Sequence, residues 1–263
     1  MIRTLVVLCG TILFLMSADT GNATHPLISD DAGTLGKGTV QIELNGDIGT
    51  DRQTRDGSRV TYKSSQIAST AGVGLSDRLD LTFGVTRPWG SGSRDGVSFN
   101  DSGSTDFTLN MKWRLYEHEG VCVAVKPQLG YSYAVGARQP DFTISYGTTL
   151  IVSKEFEPFA FHLNAGYTFN AYNLSDTRDA NRSSIWSVSL ATTYDVIKER
   201  LKVATDFGAA SSIDKAVREL PVFGLAGLIY SVNKNIDLSA GAKVGLTNAE
   251  TDFTGTFGIS YRY

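Results

Sequence analysis

Three histidines are the only imidazoles in the chain, and each is a candidate for proton transfer or metal binding. His162 stands two residues before Asn164, in the run His162-Leu163-Asn164. Histidine and asparagine can orient a nucleophile, but no serine shares that spacing, so a nucleophilic triad has little support. His118 lies between Glu117 and Glu119 and reads as a solvated turn. His25 near Asp30-Asp31, and Asp176 and Asp179 near Asn181, supply oxygen and nitrogen donors for a cation. Neither set has the spacing of a recognisable calcium loop, and a solvated turn is the plainer reading of both. No catalytic residue, cofactor or metal ligand is expected.

The charges are more informative. Glu43, Asp47, Asp80, Asp106, Asp206 and Asp237 fall on the polar parity of alternating segments, as do Lys112, Arg114, Lys126, Lys202, Lys243, Arg262 and His162. The two signs nearly balance. A single-sign ring would indicate an ion-selective pore. A balanced set either braces a wall by cross-pairing or forms a mixed-charge constriction, and both readings stay open.

The elements that position these residues are strands. Period two outscores the helical period repeatedly. Phe107, Leu109, Met111, Trp113 and Leu115 alternate with Asp106, Thr108, Asn110, Lys112 and Arg114, and Phe159 to Phe169 repeats the pattern. About twelve such segments of roughly 9–12 residues follow one another, the length that crosses a bilayer when tilted. Only Pro221 to Ser231 is apolar on both parities, so its faces cannot be assigned.

Connections alternate in length. Ser76 to Arg78, Glu117 to Gly120, Glu155 to Pro158, Val196 to Arg200 and Val232 to Asn235 are short. Thr50 to Ser58, Arg87 to Ser104, Gly136 to Pro140, Ala171 to Ser184 and Ala210 to Leu220 read as longer loops, and Thr247 to Asp252 as a short polar one. Short periplasmic turns and longer outer loops are the habit of outer-membrane barrels. Aromatic residues gather at the segment ends: Trp113, Tyr116, Phe159, Phe161, Tyr194, Tyr261 and Tyr263 at the short-turn end, and Trp89, Phe107, Tyr133, Phe142, Tyr167, Phe169, Trp186 and Phe253 at the other. Two aromatic belts around an aliphatic band suit two membrane interfaces. The expected fold is an all-β, transmembrane, antiparallel up-and-down β-barrel of about twelve strands, with apolar faces toward lipid and polar faces toward a lumen.

Composition agrees. Charged residues make up 19% of the 263, with 27 glycines, 6 prolines and a net charge of −3. The charge content is below the roughly 25% of soluble domains, and no basic field invites nucleic acid. Arg3 followed by the uncharged run Leu5 to Met16 is too short to span a bilayer and fits a secretory signal, residues 1–23, cleaved after Ala23. Leu8 before Cys9 argues against a lipoprotein. Past that point Cys122 is the one cysteine, so no internal disulfide is expected. Residues 24–37 would lie on the periplasmic side and could enter the lumen as a plug; residues 38–263 would form the barrel.

Two resemblances sharpen this. The ending Thr256-Phe-Gly258-Ile-Ser-Tyr261-Arg-Tyr263 resembles the C-terminal signal of bacterial outer-membrane barrels: polar, any, glycine, two of any, aromatic, any, aromatic. It departs only in ending on Tyr rather than the usual Phe. The resemblance implies delivery to the barrel insertion machinery, with Thr256, Gly258, Tyr261 and Tyr263 as the signal. The run His25-Pro26-Leu27-Ile28-Ser29-Asp30-Asp31-Ala32-Gly33-Thr34, then Gly36-Lys37-Gly38, resembles the opening of the MetA-pathway phenol-degradation family of small outer-membrane barrels. That resemblance implies passage of small, often aromatic or apolar, compounds. The expected function is therefore a passive channel or transporter for small solutes in the bacterial outer membrane, with the lipid bilayer, the insertion machinery and a small-molecule solute as partners and no nucleic acid. A non-conducting barrel working through its outer loops is the alternative, and a membrane-embedded lipid-modifying enzyme a third.

Overall fold

A computed structural model describes residues 25–55, 58–135 and 141–263. The proposed signal segment and its cleavage site lie outside these residues. The strands are β1 (Val40–Arg55), β2 (Ser58–Ser76), β3 (Leu79–Arg94), β4 (Val97–Asp101), β5 (Ser104–His118), β6 (Val121–Ala134), β7 (Phe142–Phe156), β8 (Phe159–Tyr172), β9 (Ser184–Ile197), β10 (Leu201–Ala210), β11 (Val222–Ser231), β12 (Ile236–Gly245) and β13 (Phe253–Arg262), with one helix, α1 (Ser175–Ala180). All pairings are antiparallel between neighbours, except that β3 pairs with β5, and β1 closes the sheet on β13. The result is a 12-stranded barrel. β4 stands outside it, as the return strand of a hairpin on β3.

Closure removes the sheet edges, whose unpaired N–H and C=O groups would cost several kcal/mol each in hydrocarbon. The seam runs from Gln41 opposite Arg262 to Thr50 opposite Phe253, and Val40 and Tyr263 exchange both backbone hydrogen bonds at its end. Gly46 leaves room for the Phe257 ring lying across it from the closing strand. The terminal aromatic run is thus a full member of the wall.

Period two fixes the faces. Ile42, Leu44 and Ile48 on β1, Phe107, Leu109 and Met111 on β5, and Phe257, Ile259 and Tyr261 on β13 all point outward and are exposed. The apolar surface continues around every barrel strand, far beyond the few hundred Å² tolerated on a soluble protein, and a bilayer is what covers it. Rings cluster near the strand ends: Phe156, Phe159, Phe161 and Tyr194 at the short turns, Phe107, Tyr131 and Phe142 toward the opposite end. The protein is a transmembrane β-barrel of the bacterial outer membrane.

Two segments read as loops are strand instead. Thr50 to Arg55 continues β1 and pairs with Ser58 to Lys63. Arg87 to Arg94 continues β3, which turns back through β4. These extensions make β2 19 residues long, well beyond the 9–11 a bilayer requires. Their exposed residues, such as Thr50, Arg52, Thr54 and Ser91, are polar, so the apolar alternation fades while the ladder persists. β11 resolves the ambiguous run: Phe223, Leu225 and Ile229 are buried inside the barrel, while Ala226, Leu228 and Tyr230 are exposed outside.

Candidate functional site

The interior is organised around residues 25–38, which precede β1 and cross the lumen. Asp30 lies at the centre, fully buried. The Lys112 ammonium donates to its Oδ1 at 2.7 Å and to the Asp31 carbonyl at 2.9 Å, and the Lys126 ammonium donates to its Oδ2 at 2.9 Å. Both lysines are 2% exposed or less. Burial by itself would raise the Asp30 carboxyl, but the two ammonium charges beside it outweigh that and hold it below the usual carboxylate range. Charges this deep are tolerable only when paired.

The backbone of the segment is anchored with equal care. Ile28 N–H and Ser29 N–H donate to the Asp206 carboxylate at 2.8 and 2.6 Å. Asp30 N–H donates to Asn164 Oδ1, whose amide returns a bond to the Asp30 carbonyl. Ala32 N–H donates to Ser153 Oγ, itself 2.9 Å from His162 Nδ1. Leu35 N–H donates to Asp80. A segment without regular structure needs such partners once water is excluded.

The opposite side of the lumen holds the segment by packing. Leu27 and Ile28 join Ala191, Ala204, Phe223, Leu225 and Ile229 in one apolar cluster. Pro26 lies so close to Gly227 and Gly241 that any side chain there would collide with it. His25 fits against Gly258, its ring nitrogens 2.6 Å from Ser239 Oγ and Thr256 Oγ1. Burial holds that imidazole at about 4, so it is neutral at pH 7. The segment leaves the barrel at Gly36 and Gly38, both at φ +84, where Gly36 touches Gly74 of β2.

The expected lumen residues therefore divide. Asp80, Lys112, Lys126, Asp206 and, through Ser153, His162 engage the N-terminal segment. The others contact wall or loop residues. Glu43 accepts from Gln41 and Thr70, and Asp47 from Gln66. Lys243 donates to Glu250 at 2.8 Å, and Ser132 donates to Asp106. Arg262 bridges Gln41 and Asp237. Arg114 pairs with Glu117 and Lys202 with Asp195 near the short turns, both partly exposed. Asn164, Ser153, Gly227 and Gly241 were not singled out as site residues by sequence; only the polar parity of Asn164 hinted at a lumenal place.

The weighed cation sets do not assemble. Asp30 faces lysines and His25 faces hydroxyls. Asn181 is buried, pairing with Asp214 and bonding Thr177, while Asp176 and Asp179 remain exposed. Among the described residues no group of three or more His, Cys, Asp or Glu could hold a metal ion.

Two cavities flank the segment. One of about 280 Å³, toward the short turns, is lined by His25, Asp31, Thr34, Glu43, Asp237 and Arg262. The other, of about 240 Å³, faces the long loops and is lined by Ile28, Gln128, Thr149, Asn164, Tyr172 and Phe223 among others. Over its outer rim, the Arg182 guanidinium donates to the carbonyls of Ser212, Asp214 and Val217, tying the α1 connection to the β10–β11 loop.

Comparison with solved structures finds the same barrel. An outer membrane channel from Pseudomonas putida F1 superposes with a TM-score of 0.65 at 14% identity, over 89% of this chain and 98% of that one. The translocator domain of autotransporter NalP from Neisseria meningitidis gives 0.57 at 12% identity, over 87% and 89%. The transport unit of autotransporter AIDA-I from Escherichia coli gives 0.58 at 10%, over 85% and 90%. At these identities the likeness is one of fold. No curated protein matches by sequence. The family model described as "Putative MetA-pathway of phenol degradation" matches residues 26–263, nearly the whole barrel and its N-terminal segment, and the chain belongs to that family.

Proposed function

We propose that the protein is a passive outer-membrane channel for small solutes, closed at rest by residues 25–38. One observation carries this reading. The lumen is not filled by an apolar core; it holds two cavities, one toward each membrane face, with the N-terminal segment between them. A barrel serving only as scaffold has no use for cavities on both sides of a crossing strap. The family membership and the fold shared with an outer membrane channel support the same reading. The solute meets Gln128, Thr149, Asn164 and Tyr172 beside Ile28 and Phe223, a mixed lining that suits small molecules with an apolar body and a polar group. Ser153 and His162 stand 2.9 Å apart, but both are buried and the Ser153 hydroxyl already accepts the Ala32 N–H, so the pair serves to seat the strap.

The segment acts as the plug, and the lumen charges are the latch that seats it. In planar bilayers, deletion of residues 25–35 raises single-channel conductance several-fold; conductance equal to the full chain would remove the reading. Residues 1–23 act as an export signal removed after Ala23, and Thr256, Gly258, Tyr261 and Tyr263 as the address read by the insertion machinery. Appending a polar tail after Tyr263 lowers the amount of barrel in outer-membrane fractions, and unchanged amounts would count against the address alone.

A further inference from the structure

Lys112 and Lys126 are badly placed unless an anion sits between them. Asn110 lies opposite Gln128 and Trp113 opposite Val125 across the β5–β6 pair. That register sets Lys112 opposite Lys126, two like charges facing each other on one buried face, an arrangement that destabilises a sheet. Asp80 lies opposite Lys112 on the other neighbouring strand. Both ammonium groups nevertheless bond Asp30, a residue not of the wall but of the strap across it. If the strap moves, both ammonium groups lose that carboxylate in a water-poor place.

We infer that the Lys112–Lys126 pair is a carboxylate-binding site of the channel, and that Asp30 occupies it at rest as a built-in stand-in for the carboxylate of a small monocarboxylate solute. The geometry of the present occupant is that of a ligand: each carboxylate oxygen takes one ammonium, at 2.7 and 2.9 Å. The site borders the outer cavity, whose lining includes Asn164, bonded to the Asp30 backbone, and Thr149, which lies opposite Lys126. Ile28, Phe223 and Ile185 offer that cavity apolar contacts for the solute body. An incoming carboxylate that takes both ammonium groups displaces Asp30, and the strap loses its central anchor. Solute then opens its own path, and neutral molecules lack the means to do so. The inference rests on the channel reading for its meaning, but the binding event stands apart from conduction.

The test uses the full chain, processed and refolded in nanodiscs, with sodium benzoate as the carboxylate, benzyl alcohol as its neutral analogue and sodium chloride as the plain anion. Hydrogen exchange of the Ile28, Ser29, Asp30 and Ala32 amides reports whether the strap is seated. Benzoate accelerates exchange at these amides saturably, while benzyl alcohol and chloride at the same concentration do not. Asp30→Asn, which removes the internal competitor, gives these amides the benzoate-saturated exchange rate without any benzoate, as loss of the central anchor requires. Lys126→Gln abolishes the difference between benzoate and benzyl alcohol. Equal effects of benzoate and benzyl alcohol, or of benzoate and chloride, would overturn the carboxylate assignment, as would strap amides in Asp30→Asn as protected as in the original chain. Conductance of the same protein in planar bilayers is a separate readout: benzoate-dependent exchange without any conductance keeps the site and sinks the channel.

Discussion

The two walls of the lumen hold the same segment by different physics. On β5 to β8 the inward face is polar: Lys112, Lys126, Ser153, His162 and Asn164 bind Asp30 and its neighbours or support the groups that do. On β10 to β12 packing dominates beside one carboxylate: Leu225, Ile229 and Phe223 pack Leu27, Gly227 and Gly241 make room for Pro26, and Asp206 accepts the Ile28 and Ser29 N–H groups. The first wall is directional and depends on charge, so it can be competed away by another anion. The second depends on area and shape and on a carboxylate that takes neutral N–H donors, so an incoming anion has no ammonium to take from it. A strap held by both can pivot: the apolar side keeps the chain near the wall while the polar side lets go.

That comparison can be broken by weakening one wall at a time. The largest effect falls on the polar side. Asp30→Asn leaves a buried ammonium uncompensated, costing the seated state about 3–5 kcal/mol, and the channel becomes predominantly open, read as open probability in bilayers. Replacing Asp30, Lys112, Lys126 and Asp80 together by Leu, Met, Met and Asn leaves seating near the original level, since removing a whole buried ion cluster is often neutral. Acid comes next. His25 has a value of about 4 in place and 6.5 when free, so the unseated state binds more protons between those values. Seating is fully favourable above pH 6.5 and weakens as pH falls toward 4. The lowered carboxyl of Asp30 adds its loss at still lower pH, in the same direction. Glu43, Asp237 and Arg262 line the same cavity as His25. His25→Gln removes the part of the pH dependence between 6.5 and 4, measured as open probability against pH. On the apolar wall, Leu225→Ala costs about 2–3 kcal/mol, and it raises protease access to residues 25–31 while leaving the benzoate preference intact.

Much of the barrel was legible because lipid imposes alternation on every strand that crosses it. Phe107 to Leu115 shows it plainly: outward residues are apolar, inward ones are not. The rule failed where its cause is missing. Thr50 to Arg55 and Arg87 to Arg94 carry almost no apolar residues on either parity, so they show no alternation and read as loops. β11 meets apolar surroundings on both faces, lipid outside and Leu27 inside, and its parity vanished for the opposite reason. The lumen charges were visible as a set, but not their partners. Asp30 and Lys112 are 82 positions apart, and nothing local in Ser29-Asp30-Asp31 says that one carboxylate goes to the centre of a barrel while its neighbour does not.

The central claim, that the strap is the barrier, is tested most directly by locking it. Ser29 Oγ and Ser189 Oγ lie 2.7 Å apart, close enough for a disulfide between cysteines at these positions. In a Cys122→Ser background, Ser29→Cys with Ser189→Cys should conduct little when oxidised and recover full gating when a reductant is added to the same bilayer. Equal conductance before and after reduction, with the disulfide verified by mass, would contradict the account.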